Sequence, residues 1–190
     1  MNFPLCPRFQ AVLFDMDGTL LDTLSDMQGA VNHILLENGW PQRTLEEIRA
    51  FVGNGAAKLM ERAIPEPIAP QRFQEILSAY KDWYQAHNCV KTAPYPGIPE
   101  VLAELEKMGV KTAVVSNKPD ATTKALAEKF FPGMPALGQR DGVDPKPSPA
   151  LVAQALSALG VHPENAVYVG DSEVDIQTAE NTGLPCVSVM

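Results

Sequence analysis

The sequence predicts an α/β fold, a doubly wound parallel sheet interrupted by one α-helical insert. Three observations support it. Short continuous apolar runs recur at 11–14, 110–115, 166–169 and 186–189, as strands buried on both faces require. The later runs are each preceded by a helix-like segment, the alternation of a right-handed βαβ array. Between residues 23 and 93 helical periodicity persists without any strand-like run, so this stretch reads as a helical unit inserted into the α/β part. What remains, 1–22 and 94–190, suffices for one five-stranded doubly wound domain.

Taken in order, Ala11 to Phe14 stops at Asp15 and reads as the central strand. Inside the insert, Met27, Ala30, Val31, Ile34 and Leu35 form an apolar stripe that ends at Gly39. Thr44 and Glu47 have the spacing of a capping box, and Phe73, Ile76, Leu77, Tyr80 and Tyr84 form a second stripe. Both stripes read as helix-packing faces. Beyond the insert, Ile98 to Met108 places Val101, Leu102, Leu105 and Met108 on one helical face and ends at Gly109. Ala136 and Leu137 open a shorter strand. Ser148 and Pro149 read as a cap followed by proline in the first turn, ahead of the stripe Leu151, Val152, Ala155, Leu156 and Leu159.

Composition narrows the class of partner. Of 190 residues, 45% are hydrophobic, and 23 Asp+Glu outweigh 15 Lys+Arg for a net charge of -8. A packed core is therefore expected. Nucleic acid and an anionic membrane surface are not expected as partners, because the net field repels polyanions and no basic patch overrides it. Cys6, Cys89 and Cys186 show neither a CxxC pair nor metal-ligand spacing with histidine, so free thiols in a reducing compartment are expected. With no signal-like N-terminus or membrane-length apolar run, a cytoplasmic location follows.

The chemistry collects at the predicted carboxyl edge of the sheet, where open α/β folds bind ligands. Asp15 and Asp17 follow the first strand two residues apart. Two acids so placed can share a metal, or divide between a nucleophile and a general acid and base. Ser116 and Asn117 follow the second run and can donate hydrogen bonds to an anion. Lys146 stands between Pro145 and Pro147, in a stiffened loop that can aim one cation. Asp171 and Asp175 follow the fourth run, with Ser172 placed to cap a helix of which Asp175 is the third residue.

Phe14-Asp15-Met16-Asp17-Gly18-Thr19-Leu20, Ser116-Asn117, Lys146-Pro147 and Gly170-Asp171 with Asp175 resemble, in order, the four motifs of the haloacid dehalogenase superfamily. The resemblance implies a Rossmann-like core at 1–22 and 94–190, with a C1-type helical cap at 23–93. Phe51-Val52-Gly53-Asn54-Gly55 with Leu59, Arg62 and Ala63, and Thr92 to Ile98, are similar to phosphoglycolate phosphatases. A small phosphorylated metabolite, phosphoglycolate favoured, is then the expected partner of a monomer or homodimer. Relatives with this cap hydrolyse other small phosphate esters or pyrophosphate, or isomerise sugar phosphates, so a phosphomutase is an alternative. A phosphoacceptor signalling domain uses similar groups, but carries an acidic pair on its first strand and its acceptor on a later one.

The resemblance further implies a magnesium-dependent, two-step phosphomonoester hydrolysis. Asp15 is the nucleophile and Asp17 the general acid and base. Mg²⁺ is held by the Asp15 carboxylate, the Asp17 carbonyl and Asp171. Ser116 and Lys146 balance the phosphoryl oxygens, Asp175 positions Lys146 or a metal-bound water, and Thr19, Asn117 and the cap loop Gly53-Asn54-Gly55 complete the substrate site. Lys58 and Arg62 are expected on a solvated helix face, and His33, His87 and His162 as bystanders. The resembling family continues beyond the last strand into a loop and a helix, so an uncovered apolar sheet face, with lower stability or self-association, is a further expectation.

Overall fold

The computed structural model describes residues 9–189. Five parallel strands form one sheet in the order β5-β4-β1-β6-β7: β1 (Ala11–Phe14), β4 (Lys111–Pro119), β5 (Ala136–Gln139), β6 (Ala166–Gly170) and β7 (Cys186–Ser188). The first strand is central, with Phe14 opposite Val114 on one side and Val169 on the other. Its all-apolar sequence follows from burial on both faces. Leu13, Val115 and Tyr168 enter one core cluster, whereas Val12, Phe14, Val114 and Val167 enter a second on the opposite face, as the two-residue period of a strand dictates.

Helices cover both faces: α5 (Ile98–Lys107), α6 (Asp120–Phe130), α7 (Ala150–Leu159) and α8 (Glu173–Thr182). The stripe of α7, Leu151 to Leu159, is fully absorbed into the first cluster. Pro149 stands just before this helix rather than in its first turn, and the Ala150 amide donates to Ser148 Oγ at 3.3 Å. The expected face of α5 is only half realised: Ile98, Leu102 and Leu105 pack on the second cluster, but Val101 and Met108 are exposed.

Between β1 and β4 lie four helices, α1 (Leu24–Glu37), α2 (Leu45–Phe51), α3 (Gly55–Ala63) and α4 (Pro70–His87). Both predicted stripes enter a third core cluster that holds no residue of the sheet. The Thr44 and Glu47 capping box forms as the spacing demands. Where the chain leaves and re-enters the sheet domain it forms a feature not foreseen, a two-stranded antiparallel ribbon of β2 (Leu21–Asp22) and β3 (Ala93–Pro94). Two residues per strand and a proline leave too short a pattern to read from sequence. Beside the ribbon, the buried Asp26 carboxylate of α1 accepts hydrogen bonds from the backbone of Val90, Lys91 and Thr92 and from Thr92 Oγ1.

Cys89 and Cys186 are free, and Cys6 lies outside the described residues. Among the described residues, no helix is long and apolar enough to cross a membrane.

Candidate active site

A cavity of about 750 Å³ opens at the carboxyl ends of β1, β4 and β6 and is roofed by α1, α2, α3 and α4. Asp15 and Asp17 both line it, because β1 ends at Phe14 and the chain turns sharply there. The Leu20 and Leu21 amides donate back to the Met16 carbonyl at 3.1 and 2.9 Å, and the Gly18 amide donates to Leu21. Only glycine fits inside this turn. Gly18 has φ +84°, and a Cβ there would lie 2.2 Å from Asp171 Oδ2.

The Asp15 carboxylate is buried, with Oδ1 2.9 Å from Lys146 Nζ. Lys146 is buried as well; its ammonium donates to Asp175 Oδ1 at 2.7 Å and to the Tyr168 hydroxyl at 3.1 Å. Burial pushes the Asp15 carboxyl up to about 7 against the opposing pull of Lys146, with Asp175 and Asp17 adding to the rise. Burial works against the charge of Lys146, but Asp15, Tyr168 and Asp175 more than offset it and hold the ammonium protonated. Asp175 is lowered: burial opposes this, and hydrogen bonds and charge from Lys146 and Ser172 outweigh it.

Some predicted residues take the contacts expected of them and others do not. Asp175 is fully buried and is the third residue of α8, in a capping box with Ser172; it holds Lys146 in place and is walled off from the cavity. The strand β4 does not stop at Val115 but runs on through Ser116, Asn117 and Lys118, with its register against β5 shifting between Val115 and Pro119. Ser116 lines the cavity as expected, and its Oγ accepts the Lys118 amide. The Asn117 side chain is committed to the lysine loop, donating to the Lys146 carbonyl at 3.0 Å and accepting the Lys146 amide at 2.7 Å. It therefore builds the site rather than presenting a free amide to a ligand. Thr19 is buried, and its hydroxyl donates to Asp171 Oδ1 at 3.2 Å.

Gly53 and Asn54 lead from α2 into α3, whose first residue is Gly55. Gly53 and Gly55 line the cavity, and the Gly53 carbonyl accepts from Asn117 Nδ2 at 3.3 Å. Gly55, at φ +83°, brings the backbone so near the sheet edge that a Cβ would sit 2.9 Å from Gln139 Oε1 and 3.3 Å from the Asn117 carbonyl. The Asn54 side chain is used instead inside the helical unit, where its Oδ1 accepts from Arg62. Arg62 also donates to the Phe51 carbonyl, and Lys58 pairs with Glu61 at the surface. His33 and His87 stack on Trp83.

Two groups were missed by sequence reasoning. Tyr168, read only as part of an apolar strand, puts its hydroxyl 3.1 Å from the Val115 carbonyl and 3.3 Å from Asp175 Oδ1, completing the cradle of Lys146. Lys118 is buried; its ammonium donates to both Asp17 oxygens at 2.8 and 2.9 Å and lies 4.7 Å from the centre of the Tyr84 ring. Thr23 Oγ1 donates to the same Asp17 carboxylate at 2.7 Å. The only available signal was the two-residue step from Ser116, which places Lys118 on the same side of the strand.

Asp15, Asp171 and Asp175 each bring one carboxylate oxygen to within 4.8 Å of the others. With Asp175 engaged by Lys146 and Ser172, Asp15 and Asp171 are the acids left to meet an ion. Such a set of hard oxygen donors fits a divalent cation. Burial raises the Asp171 carboxyl, and Asp175 adds to that, while Thr19 opposes it.

The haloacid dehalogenase-like hydrolase profile matches residues 12–189. The chain belongs to this family. Phosphatases are among the relatives that it resembles. It is 34% identical to a phosphoglycolate phosphatase of Pseudomonas putida over 94% of this chain and 68% of that protein. It is 32% identical to an N-acetylmuramic acid 6-phosphate phosphatase of Pseudomonas aeruginosa, over 96% and 82% of the two chains. A crystal structure from Lactobacillus delbrueckii subsp. bulgaricus superposes with a TM-score of 0.88 at 35% identity, covering 95% of this chain and 85% of the other.

Proposed function

We propose that this phosphatase is a Mg²⁺-dependent phosphomonoester hydrolase that works through a phosphoaspartate, with phosphoglycolate as its favoured substrate, and that residues 23–93 act as the cap over its core. The observation that carries this reading is the Asp15 carboxylate, buried at the end of the central strand with Lys146 Nζ at 2.9 Å. A buried nucleophile held beside a fixed cation is placed to attack a dianionic ester.

Asp15 attacks phosphorus, forming an acyl phosphate as the bond to the ester oxygen breaks, and Asp17 gives that oxygen its proton. Asp17 then takes a proton from water, whose oxygen attacks the phosphoaspartate and releases phosphate and the Asp15 carboxylate. Lys146 and Ser116 balance charge on the phosphoryl oxygens, and Asp175, Tyr168 and Asn117 keep Lys146 aimed. Asp15, Asp171 and the Asp17 carbonyl would hold the metal. When bound, Mg²⁺ neutralises phosphoryl charge and orients the reacting oxygens. The free thiols and net negative charge suit a cytoplasmic enzyme acting on a small anionic metabolite.

A second reading, hydrolysis of a larger phosphate ester, is favoured by the cavity, which at about 750 Å³ exceeds what phosphoglycolate fills. Phosphate release from phosphoglycolate, N-acetylmuramic acid 6-phosphate, pyrophosphate and β-glucose 1-phosphate, with Mg²⁺ or EDTA, separates the two. Metal-dependent turnover that prefers phosphoglycolate and vanishes in Asp15→Asn is the expected result. Turnover by Asp15→Asn at the wild-type rate would overturn the phosphoaspartate mechanism.

A further inference from the structure

The cavity contains a buried cation that the proposed chemistry leaves without a role. Lys118 lies two residues beyond Ser116 along β4. The Lys118 amide donates to Ser116 Oγ at 3.3 Å, and two residues of extended strand span roughly 7 Å. That is the scale of a short acid in which a phosphate ester and a second anionic group are separated by one or two carbons. Both residues line the cavity.

The surroundings of Lys118 set it apart from an ordinary surface lysine. Its side chain is only 3% exposed. The Tyr84 ring lies beside the ammonium at 4.7 Å, and among the described residues the only carboxylate paired with it is that of Asp17. The Tyr84 hydroxyl is itself buried with no hydrogen-bond partner among the described residues, on a residue that lines the same cavity. A desolvated cation in a ligand cavity, backed by an unsatisfied hydroxyl, suits an incoming anion. Two other cavity cations, Arg49 and Lys81, are exposed and pay a smaller part of any desolvation cost.

We propose that Lys118 is the specificity residue of the site, exchanging its Asp17 partner for a second anionic group, a carboxylate in the favoured case, on the leaving-group side of the phosphate ester. The proposal rests on the phosphatase reading and adds the residue that reads the second acid of a short phosphate ester. Binding such a substrate would at the same time draw Lys118 away from Asp17, freeing the Asp17 carboxyl to carry the proton that it gives the leaving oxygen.

The test compares kcat/KM for phosphoglycolate and for its neutral carboxamide, which share size and reacting bond and differ in one charge. Wild-type enzyme is expected to prefer the acid by roughly 10- to 100-fold, the range of one charge-assisted hydrogen bond. Lys118→Met should bring the two rates to within about threefold of each other by removing that bond. Lys118→Arg, which keeps the cation, and Arg49→Met should both retain the preference. A positioning role through Asp17 alone would instead lower both rates by the same factor in Lys118→Met, and that result would overturn the proposal. So would a preference that disappears in Arg49→Met and persists in Lys118→Met. If Lys118→Met fails to fold, wild-type enzyme that turns over both esters equally still refutes the proposal while leaving the phosphatase reading intact. Turnover of a larger phosphate ester with none of either small one would overturn the proposal and leave the phosphatase reading intact, whereas absence of turnover with every phosphate ester would overturn both.

Discussion

Replacing Asp26 with alanine should loosen the point where the helical unit rejoins the sheet domain. Its carboxylate accepts from the Val90 amide at 3.0 Å, the Lys91 amide at 3.0 Å, the Thr92 amide at 2.9 Å and Thr92 Oγ1 at 2.8 Å. Val90 is well exposed, so water can replace the carboxylate at that end of the turn. Thr92 is buried, and its two donors would be left unsatisfied. At roughly 1–2 kcal/mol for each, the loss comes to about 3 kcal/mol. For a chain of this size that corresponds to a fall in Tm of roughly 6–12 °C. Asp26→Asn keeps one acceptor oxygen but brings a donor group to where three amides converge, and should recover less than half of the loss. Thermal melts followed by circular dichroism give the total, and amide exchange shows where it is lost, with 90–92 expected to exchange much faster. A fall in Tm below about 2 °C, or unchanged exchange at Thr92, would refute the claim that one buried carboxylate secures this junction.

Gly18→Ala should damage the site more than the fold. A Cβ at this φ of +84° would press on Asp171 Oδ2 at 2.2 Å, and displacing that acid is expected to cut phosphate release roughly 100-fold; a fully active variant would show that the turn gives way freely. Asp120 makes a pH-dependent contribution. Burial raises its carboxyl, but hydrogen bonds from Lys124 and from the Gly138 amide outweigh this and hold it below the ordinary 3.8. A depressed carboxyl stabilises the fold above that ordinary value, and its contribution is lost as pH falls through the lower folded-state value. Since the group is near the surface, the effect should be about 0.5 kcal/mol. Urea midpoints for wild type and Asp120→Asn should differ at pH 6 and converge near pH 2–3; a constant difference at all pH values would contradict the assignment.

The strands of the sheet were legible because burial on both faces forces continuous apolar runs, and β1, β6 and β7 begin where those runs begin. The helix stripes, the capping boxes at Thr44 and Ser172, and the acids after β1 and β6 were legible for the same reason: local chemistry fixes them within a few residues. Other features depend on distant parts of the chain meeting. The Asn117 side chain looks like a ligand donor in sequence, but the fold brings the Lys146 backbone to it. Asn54 is taken up by Arg62 and Thr19 by Asp171, each through a contact with no local pattern. The ribbon of β2 and β3 joins residues some seventy positions apart, over strands too short to carry a period. Tyr168 reads as one more apolar strand residue until its hydroxyl meets Lys146.

By itself, then, the sequence determined the layered architecture, the inserted helices and the identity of the acids at the sheet edge, since each rests on periodicity or on neighbours a few residues apart. Tertiary structure alone decided which of those polar groups face the cavity and which are spent holding others. A side chain's role there depends on the partner that reaches it first, and Lys118, closing on Asp17 from a strand one hundred residues away, is the clearest instance.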